Sequence, residues 1–126
     1  MRLELEFNCE VVERQELLNG TEMIIIAGAS AHGWTIDGTI AWNVGLVDFA
    51  GEGDLTLTSA DGEIYATLVR AVARPDEDDA WRFDLAYEAD GGAGLFERVE
   101  GEIRAIGTLT GDVLAGCWIA ELGGVS

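Results

Sequence analysis

The chain has 126 residues, 48 % of them hydrophobic, and this length and composition predict a single globular domain over residues 1–126. Its formal net charge of −17 disfavours binding to the phosphates of nucleic acids and to anionic membrane surfaces. The basic residues are all arginines, so chemistry that needs a lysine, such as pyridoxal-phosphate catalysis or a phosphate-binding loop, is excluded.

The N-terminal segment alternates apolar and polar side chains over residues 3–11, and this period of two predicts a strand with one face in the core. Residues 12–18 either continue the strand or form a short helix that ends at Asn19-Gly20. The segment lacks the continuous apolar core of a signal peptide, and the longest apolar run, residues 23–29, is too short to span a membrane. We therefore expect a cytoplasmic protein without a membrane partner.

Glycine-containing pairs punctuate the rest of the chain. Asn-Gly and Asp-Gly are favoured at the centre of tight hairpins because both positions take positive φ. The predicted turns are Asn19-Gly20, Asp37-Gly38, Asp61-Gly62, Asp90-Gly91-Gly92 and Thr110-Gly111-Asp112. The predicted strands cover residues 3–18, 22–30, 33–43, 51–60, 63–73, 80–89, 95–109 and 112–122. The expected fold is therefore all-β, a closed antiparallel β-barrel of about eight strands.

Two predicted strand regions, residues 23–29 and 113–122, are apolar on both faces. A strand with two apolar faces packs against a second layer or against another subunit. We therefore expect the protein to be a homo-oligomer.

Metal-ligating residues are sparse. His32 is the only histidine, and Cys9 and Cys117 are far apart in sequence, which excludes Cys-x-x-Cys zinc clusters and His-Glu-x-x-His helices. The acidic stretch at residues 76–79 begins like a calcium loop but lacks the glycine and the final glutamate that such a loop requires. We therefore expect no metal site and no cofactor.

Two other pairs of reactive side chains follow from the predicted strands. Ser30 and His32 would share one strand face, which permits a weak nucleophile and base pair. Cys9 and Cys117 fall on the first and last strands, which are neighbours in a closed barrel, and in a reducing compartment we expect two buried thiols rather than a disulfide.

Charged residues interrupt two apolar strand faces: Arg70 within residues 64–72, and Glu97 within residues 95–103. Together with Tyr87 on the strand between them, they either meet inside the barrel as a charge-assisted network or lie near strand ends and reach water. If they point inward, Glu97 is the candidate general acid or base. Arg70 and Tyr87 would then orient a carbonyl or carboxylate.

Small residues on the inward faces leave room inside the barrel; they are Ala66, Ala89, Gly101, Ala105 and Gly107. The interior is therefore either a ligand-sized cavity or a solid core filled by tryptophans. The candidate substrate-binding residues are Trp34, Trp42, Phe83, Trp118 and His32.

Residues 90–101 read Asp-Gly-Gly-Ala-Gly-Leu-Phe-Glu-Arg-Val-Glu-Gly. This segment resembles the Gly-Gly-x-Gly-x-Phe-x-x-x-x-Gly hairpin of the allene oxide cyclase-like barrels, a group that includes dirigent proteins, spirotetronate cyclases and avidin-like bacterial families. Residues 3–7, 53–57 and 61–65 also resemble small calycin-type bacterial barrels. The resemblance implies an often oligomeric eight-stranded barrel that cyclises or isomerises an apolar substrate without a cofactor.

Three functions follow from these patterns. The first is a cofactor-independent cyclase or isomerase that holds a hydrophobic small molecule inside the barrel, for example in natural-product biosynthesis. The second is a non-catalytic, lipocalin-like binder of an apolar small molecule. The third is a structural oligomer with a filled core.

Overall fold

The computed structural model describes residues 1–43, 48–50 and 52–125, and this part of the chain consists of strands joined by short connections. The strands are β1 (Arg2–Glu16), β2 (Thr21–Ser30), β3 (Thr35–Asn43), β4 (Asp48–Ala50), β5 (Glu52–Ser59), β6 (Gly62–Pro75), β7 (Trp81–Gly94), β8 (Glu100–Thr110) and β9 (Val113–Gly123). Short 3-10 turns cover Leu18–Gly20, Ala31–Gly33 and Glu77–Asp79. Within these residues, no helix is long and apolar enough to cross a membrane.

The strands form one antiparallel sheet that closes on itself. Its order is β4-β6-β5-β3-β2-β1-β9-β8-β7, and a further pairing between β6 and β7 completes the ring. β4 pairs with residues 70–72 of β6, and β5 pairs with residues 62–67 of the same strand, so β4 and β5 share one position in the ring. The predicted closed eight-stranded antiparallel barrel is therefore confirmed.

The first, third and last predicted turns are confirmed. They lie between β1 and β2, between β5 and β6, and between β8 and β9. The first turn is closed by a hydrogen bond of 2.8 Å from the amide of Leu17 to the carbonyl oxygen of Thr21. Because β1 continues to Glu16, the alternative of a short helix over residues 12–18 is wrong.

The turn predicted at Asp37-Gly38 is wrong because both residues lie inside β3, paired with β2 and β5 on either side. A Cβ atom on Gly38 would lie only 2.6 Å from the carbonyl oxygen of Asp54 on β5. This glycine therefore permits close contact between two strands. Glycine inside a strand often marks such a close approach of two backbones.

The turn predicted at residues 90–92 is also misplaced. β7 continues through these residues to Gly94, and the chain reverses over residues 95–98 instead. The strand predicted to begin at residue 95 therefore begins at Glu100. This shift moves Glu97 from a strand into a turn.

Alternate side chains of the strands point into the barrel and form one apolar core along its length. The largest fully buried side chains are Phe83, Phe96, Ile24, Ile40, Leu57, Ile64, Leu68, Ile103 and Leu114. Among the described residues, no charged side chain is buried. The interior of this barrel is therefore apolar.

The two cysteines lie on opposite faces of neighbouring strands. Cys9 points into the core from β1, whereas Cys117 is exposed on the outside of β9, and both thiols are free. The expectation of thiols rather than a disulfide is confirmed, although only one of them is buried. The predicted homo-oligomer stays a prediction.

The two ends of the barrel differ in the connections that they contain. The closed end contains the connections at residues 31–34, 60–61 and 95–99, and the mouth contains those at residues 17–20, 76–80 and 111–112. Successive strands run between these two ends. Residues that are distant in sequence therefore meet at each end.

Candidate functional site

The interior of the barrel is nearly full. The space between Cys9, Tyr87 and the apolar side chains around them has a volume of about 20 Å³. That volume accommodates roughly one water molecule. Of the two interiors that the sequence allowed, the described residues form the filled one, and they enclose no ligand-sized cavity.

Four of the predicted wall residues, Trp34, Trp42, Phe83 and Trp118, are packed into the two ends of the barrel and do not surround an interior cavity. At the closed end, the ring centroid of Trp34 lies 5.5 Å from that of Phe96 and 5.8 Å from that of Trp118. Near the mouth, Trp42 packs against Phe83 at 5.1 Å. All five rings are buried, and such tilted and edge-on contacts are the favoured geometry of aromatic pairs.

Arg70 lies on the outside of the barrel, not on the inward face. The pairing of β6 with β7 shifts between Leu68 and Arg70, and this bulge changes which side chains point inward. Leu68 is buried before the bulge and Ala71 is buried after it. Arg70 therefore lies on the face that carries Asp84, and its charge is one of the influences that lower the pKa of that carboxyl.

The pKa of Asp84 is lowered mainly by the hydrogen bonds that its carboxylate accepts from Arg104 on β8, at 3.0 and 2.6 Å. Burial of Asp84 opposes this shift, and the positive charges of Arg104, Arg70 and Arg82 reinforce it. This group of side chains lies on the outer wall. It stabilises the pairing of β7 with β8.

Glu97 is exposed in the turn between β7 and β8, whereas Tyr87 is buried inside the barrel and only 3 % exposed. Because Arg70 and Glu97 both lie on the surface, the structure does not bring the three candidate catalytic residues together. The two charged residues instead reach water, which was the second of the two alternatives predicted for them. The inward network predicted as the other possibility is absent.

His32 is exposed and belongs to the 3-10 turn between β2 and β3, in a left-handed conformation with φ of 61°. It therefore lies beyond the end of the strand and does not share a face with Ser30. The Ser30 hydroxyl donates a hydrogen bond to the carbonyl oxygen of Glu6 and accepts one of 2.9 Å from Trp118 Nε1. Ser30 thus fixes a ring of the closed end, and it does not pair with His32.

The mouth holds a pocket of about 580 Å³. Its apolar lining includes Trp42 and Trp81, whose ring centroids are 5.1 Å apart in an edge-on contact, together with Leu17 and Leu109. Trp42 is 4 % exposed, whereas Trp81 and Leu17 are less completely buried. The pocket therefore offers apolar surface of the kind that usually lines small-molecule sites.

A polar network fixes one side of the mouth pocket. Arg14 Nη1 donates a hydrogen bond of 2.7 Å to Glu22 Oε1, and its Nη2 contacts Asp112 Oδ1 at 2.9 Å and the carbonyl oxygen of Gly111 at 2.8 Å. Glu22 Oε1 also accepts a hydrogen bond of 3.3 Å from Trp42 Nε1. These contacts join β1, β2, β3 and the β8–β9 turn, so the position of the indole depends on closure of the barrel.

A second depression, of about 650 Å³, lies near the closed end. Its lining comes from β6, β7, β8 and β9 and consists of Thr67, Glu88, Ala89, Asp90, Glu100, Gly101, Glu102 and Gly123. It is acidic but has no aromatic ring among these residues, and it is more open to solvent than the mouth pocket. The mouth is therefore the better candidate for a binding site, and of its lining only Trp42 was among the candidate residues selected from the sequence.

Sequence signals for the mouth were present but weak. Trp81 begins the alternating run of β7, and Arg14 is a single cation in an acidic hairpin. The contact between Arg14 and Asp112 spans 98 positions, and only closure of β1 against β9 creates it.

Burial perturbs two titratable groups inside the barrel. Burial, followed by the negative charge of Asp37, raises the pKa of the Cys9 thiol to about 11. Burial is also the main cause that raises the pKa of Tyr87, and Cys9 and Asp54 add to it. Both side chains are therefore uncharged at neutral pH and suit an apolar core.

In the described ranges, no three His, Cys, Asp or Glu side chains are grouped so that they could hold a metal ion. Comparisons of the chain with known protein families, with curated proteins and with solved structures found no match. The resemblance to allene oxide cyclase-like barrels therefore stays a prediction. The fold itself is the closed eight-stranded barrel described above.

Proposed function

We propose that this protein is a non-catalytic binder of a small molecule and that the ligand lies in the mouth pocket. The single observation that carries the proposal is a pocket of about 580 Å³ lined by the edge-on pair Trp42 and Trp81. Small-molecule sites commonly have volumes of roughly 300–1,000 Å³ and combine apolar rings with a few fixed polar groups. The interior space of about 20 Å³ is too small for such a ligand.

A binder is supported better than an enzyme because the mouth does not contain the predicted catalytic residues. Arg70, Tyr87 and Glu97 lie in three different environments, and none of them lines the mouth pocket. The cyclase or isomerase activity therefore stays a prediction of the resemblance alone. The homo-oligomeric state and the cytoplasmic location likewise stay predictions.

Calorimetric titration with octan-1-ol tests the proposal, because its apolar chain can pack on the two indoles. We expect saturable binding to the unaltered protein. The Trp81→Leu variant should bind about tenfold more weakly, since losing roughly 50 Å² of ring contact costs about 1.3 kcal/mol. Calorimetry is preferred over fluorescence because the substitution removes a fluorophore.

Tyr65 provides the matched control, because it is an aromatic side chain 41 % exposed on the outer wall of β6. Tyr65→Leu should leave the affinity for octan-1-ol unchanged. Absence of saturable binding to the unaltered protein, or equal affinities in Trp81→Leu and the parent, would show that the mouth is not the binding site.

A further inference from the structure

The charges around the mouth pocket are unbalanced. Its lining contains one guanidinium, from Arg14, and three carboxylates, from Glu16, Glu22 and Asp79. Arg14 is already paired with Glu22 and with Asp112 of the β8–β9 turn. The pocket therefore carries excess negative charge beside its aromatic surface.

Glu16 and Asp79 have no ion pair or side-chain hydrogen bond to any residue that the structure describes. Both are exposed and lie at the rim, Glu16 at the end of β1 and Asp79 in the 3-10 turn before β7. Trp81 follows Asp79 by two positions, so the uncompensated carboxylate and the indole line the same pocket.

We propose, resting on the mouth-binding function above, that the ligand of this pocket is a cationic amphiphile: an ammonium group attached to an apolar chain. The partly exposed ring of Trp81 attracts a cation through its quadrupole and packs against the chain, with the buried ring of Trp42 edge-on to it. Glu16 and Asp79 supply the charge that the ammonium group neutralises. An anionic ligand would meet the same carboxylates and be repelled.

The acidic depression near the closed end has carboxylates like the mouth pocket but lacks its tryptophan rings. Its lining contains Glu88, Asp90, Glu100 and Glu102 and no aromatic side chain. Carboxylates alone are expected on any surface of a chain with a net charge of −17. The mouth combines carboxylates with two indoles, whereas the depression near the closed end has carboxylates alone.

The test compares three probes that share an eight-carbon chain: octyltrimethylammonium, octan-1-ol and octyl sulfate. We expect octyltrimethylammonium to bind about tenfold more tightly than octan-1-ol, from one cation–π contact and screened attraction to the rim carboxylates. Octyl sulfate should bind most weakly. Raising the salt concentration should reduce the preference for the cation without reducing the binding of octan-1-ol.

Two double variants that change the net charge equally show which carboxylates cause the preference for octyltrimethylammonium over octan-1-ol. Glu16→Gln with Asp79→Asn should reduce it to about threefold or less, because two carboxylates leave the rim. Glu88→Gln with Glu102→Gln, in the depression near the closed end, should leave it unchanged. If the first double variant does not fold, as judged by circular dichroism, Glu16→Gln is compared with Glu88→Gln, and the change in net charge is again the same in both.

The outcomes separate this inference from the proposed function. Equal binding of the three probes would leave the mouth as an apolar site and overturn the cationic ligand. A preference reduced equally by both double variants would assign it to the overall charge of the protein, which also overturns the inference. Failure of octan-1-ol to bind, alone or together with the other two probes, would overturn the proposed function itself.

Discussion

The buried thiol of Cys9 should make the stability of the barrel depend on alkaline pH. Cys9 is 0 % exposed, and its pKa is raised from the usual 9.0 to about 11, first by burial and then by the charge of Asp37. Above pH 9.0 the thiol of the unfolded chain loses its proton, whereas the folded chain keeps it. The stabilisation is therefore fully present below the unfolded pKa and is lost as pH rises towards about 11.

With these two pKa values, linkage predicts that the free energy of unfolding falls by about 1.3 kcal/mol between pH 8 and pH 10. The pKa values of Tyr65 and Tyr87 are also raised, but they start from 10.0, so most of their effect falls above this window. The measurement is urea-induced unfolding at pH 8 and pH 10, followed by far-UV circular dichroism in the presence of a reductant.

Two variants identify the source of the pH dependence. Cys9→Ala is expected to be less stable at every pH because it removes a buried sulfur atom, but it should lose about 1.3 kcal/mol less than the parent between pH 8 and pH 10. Cys117→Ser should retain the full pH dependence because that side chain is exposed. Equal losses in Cys9→Ala and in the parent would refute the assignment to Cys9.

Two further predictions concern the strand interior and the thiols. Gly38→Ala should lower the free energy of unfolding by about 2 kcal/mol, because the new Cβ would lie 2.6 Å from a carbonyl oxygen. As a control, Gly123→Ala meets only ordinary contacts at 3.8 Å, so its free energy of unfolding should stay within about 0.5 kcal/mol of the parent value. Urea unfolding checks both, and equal effects would contradict the argument. Cys117 should react with an aromatic disulfide reagent at pH 8 in the folded protein, and Cys9 only after denaturation. Rapid labelling of both thiols in the folded chain would show that Cys9 is accessible.

The fold could be predicted because the signals for it are local. Period-two alternation in β1, β5 and β7 sets which face is buried, and the hairpins between β1 and β2, β5 and β6, and β8 and β9 have short glycine-containing connections. Closure followed from the number of strands and from the need to protect apolar edges. The arguments for the strands and hairpins use neighbouring residues only, and closure needs in addition only the number of strands.

The candidate catalytic residues were misplaced because small shifts in register are not encoded locally. The bulge after Leu68 reverses the orientation of the following side chains, so the alternation that would put Arg70 inside is interrupted. Glu97 was assigned to a strand because glycines at residues 91 and 92 were interpreted as the turn. In the structure those glycines lie in β7, and the turn begins only after Gly94.

The filled interior could not be read from composition either. Small residues such as Ala66, Ala89 and Ala105 do point inward, as predicted. The interior is nevertheless nearly full, and at the closed end Trp34 and Phe96 reach in from the connections and pack against each other. Whether rings line a cavity or fill it depends on their rotamers and on strand tilt, neither of which follows from periodicity.

The difference between the two ends explains why a ligand would bind at the mouth. To enter from the closed end, it would have to displace Trp34, Phe96 and Trp118; the ring centroid of Trp34 lies 5.5 Å from that of Phe96 and 5.8 Å from that of Trp118. Each buried ring contributes about 2–3 kcal/mol, and the hydrogen bond from Trp118 to Ser30 would also be lost. At the mouth the pocket already exists beside Trp81, so binding there requires no ring of the core to move.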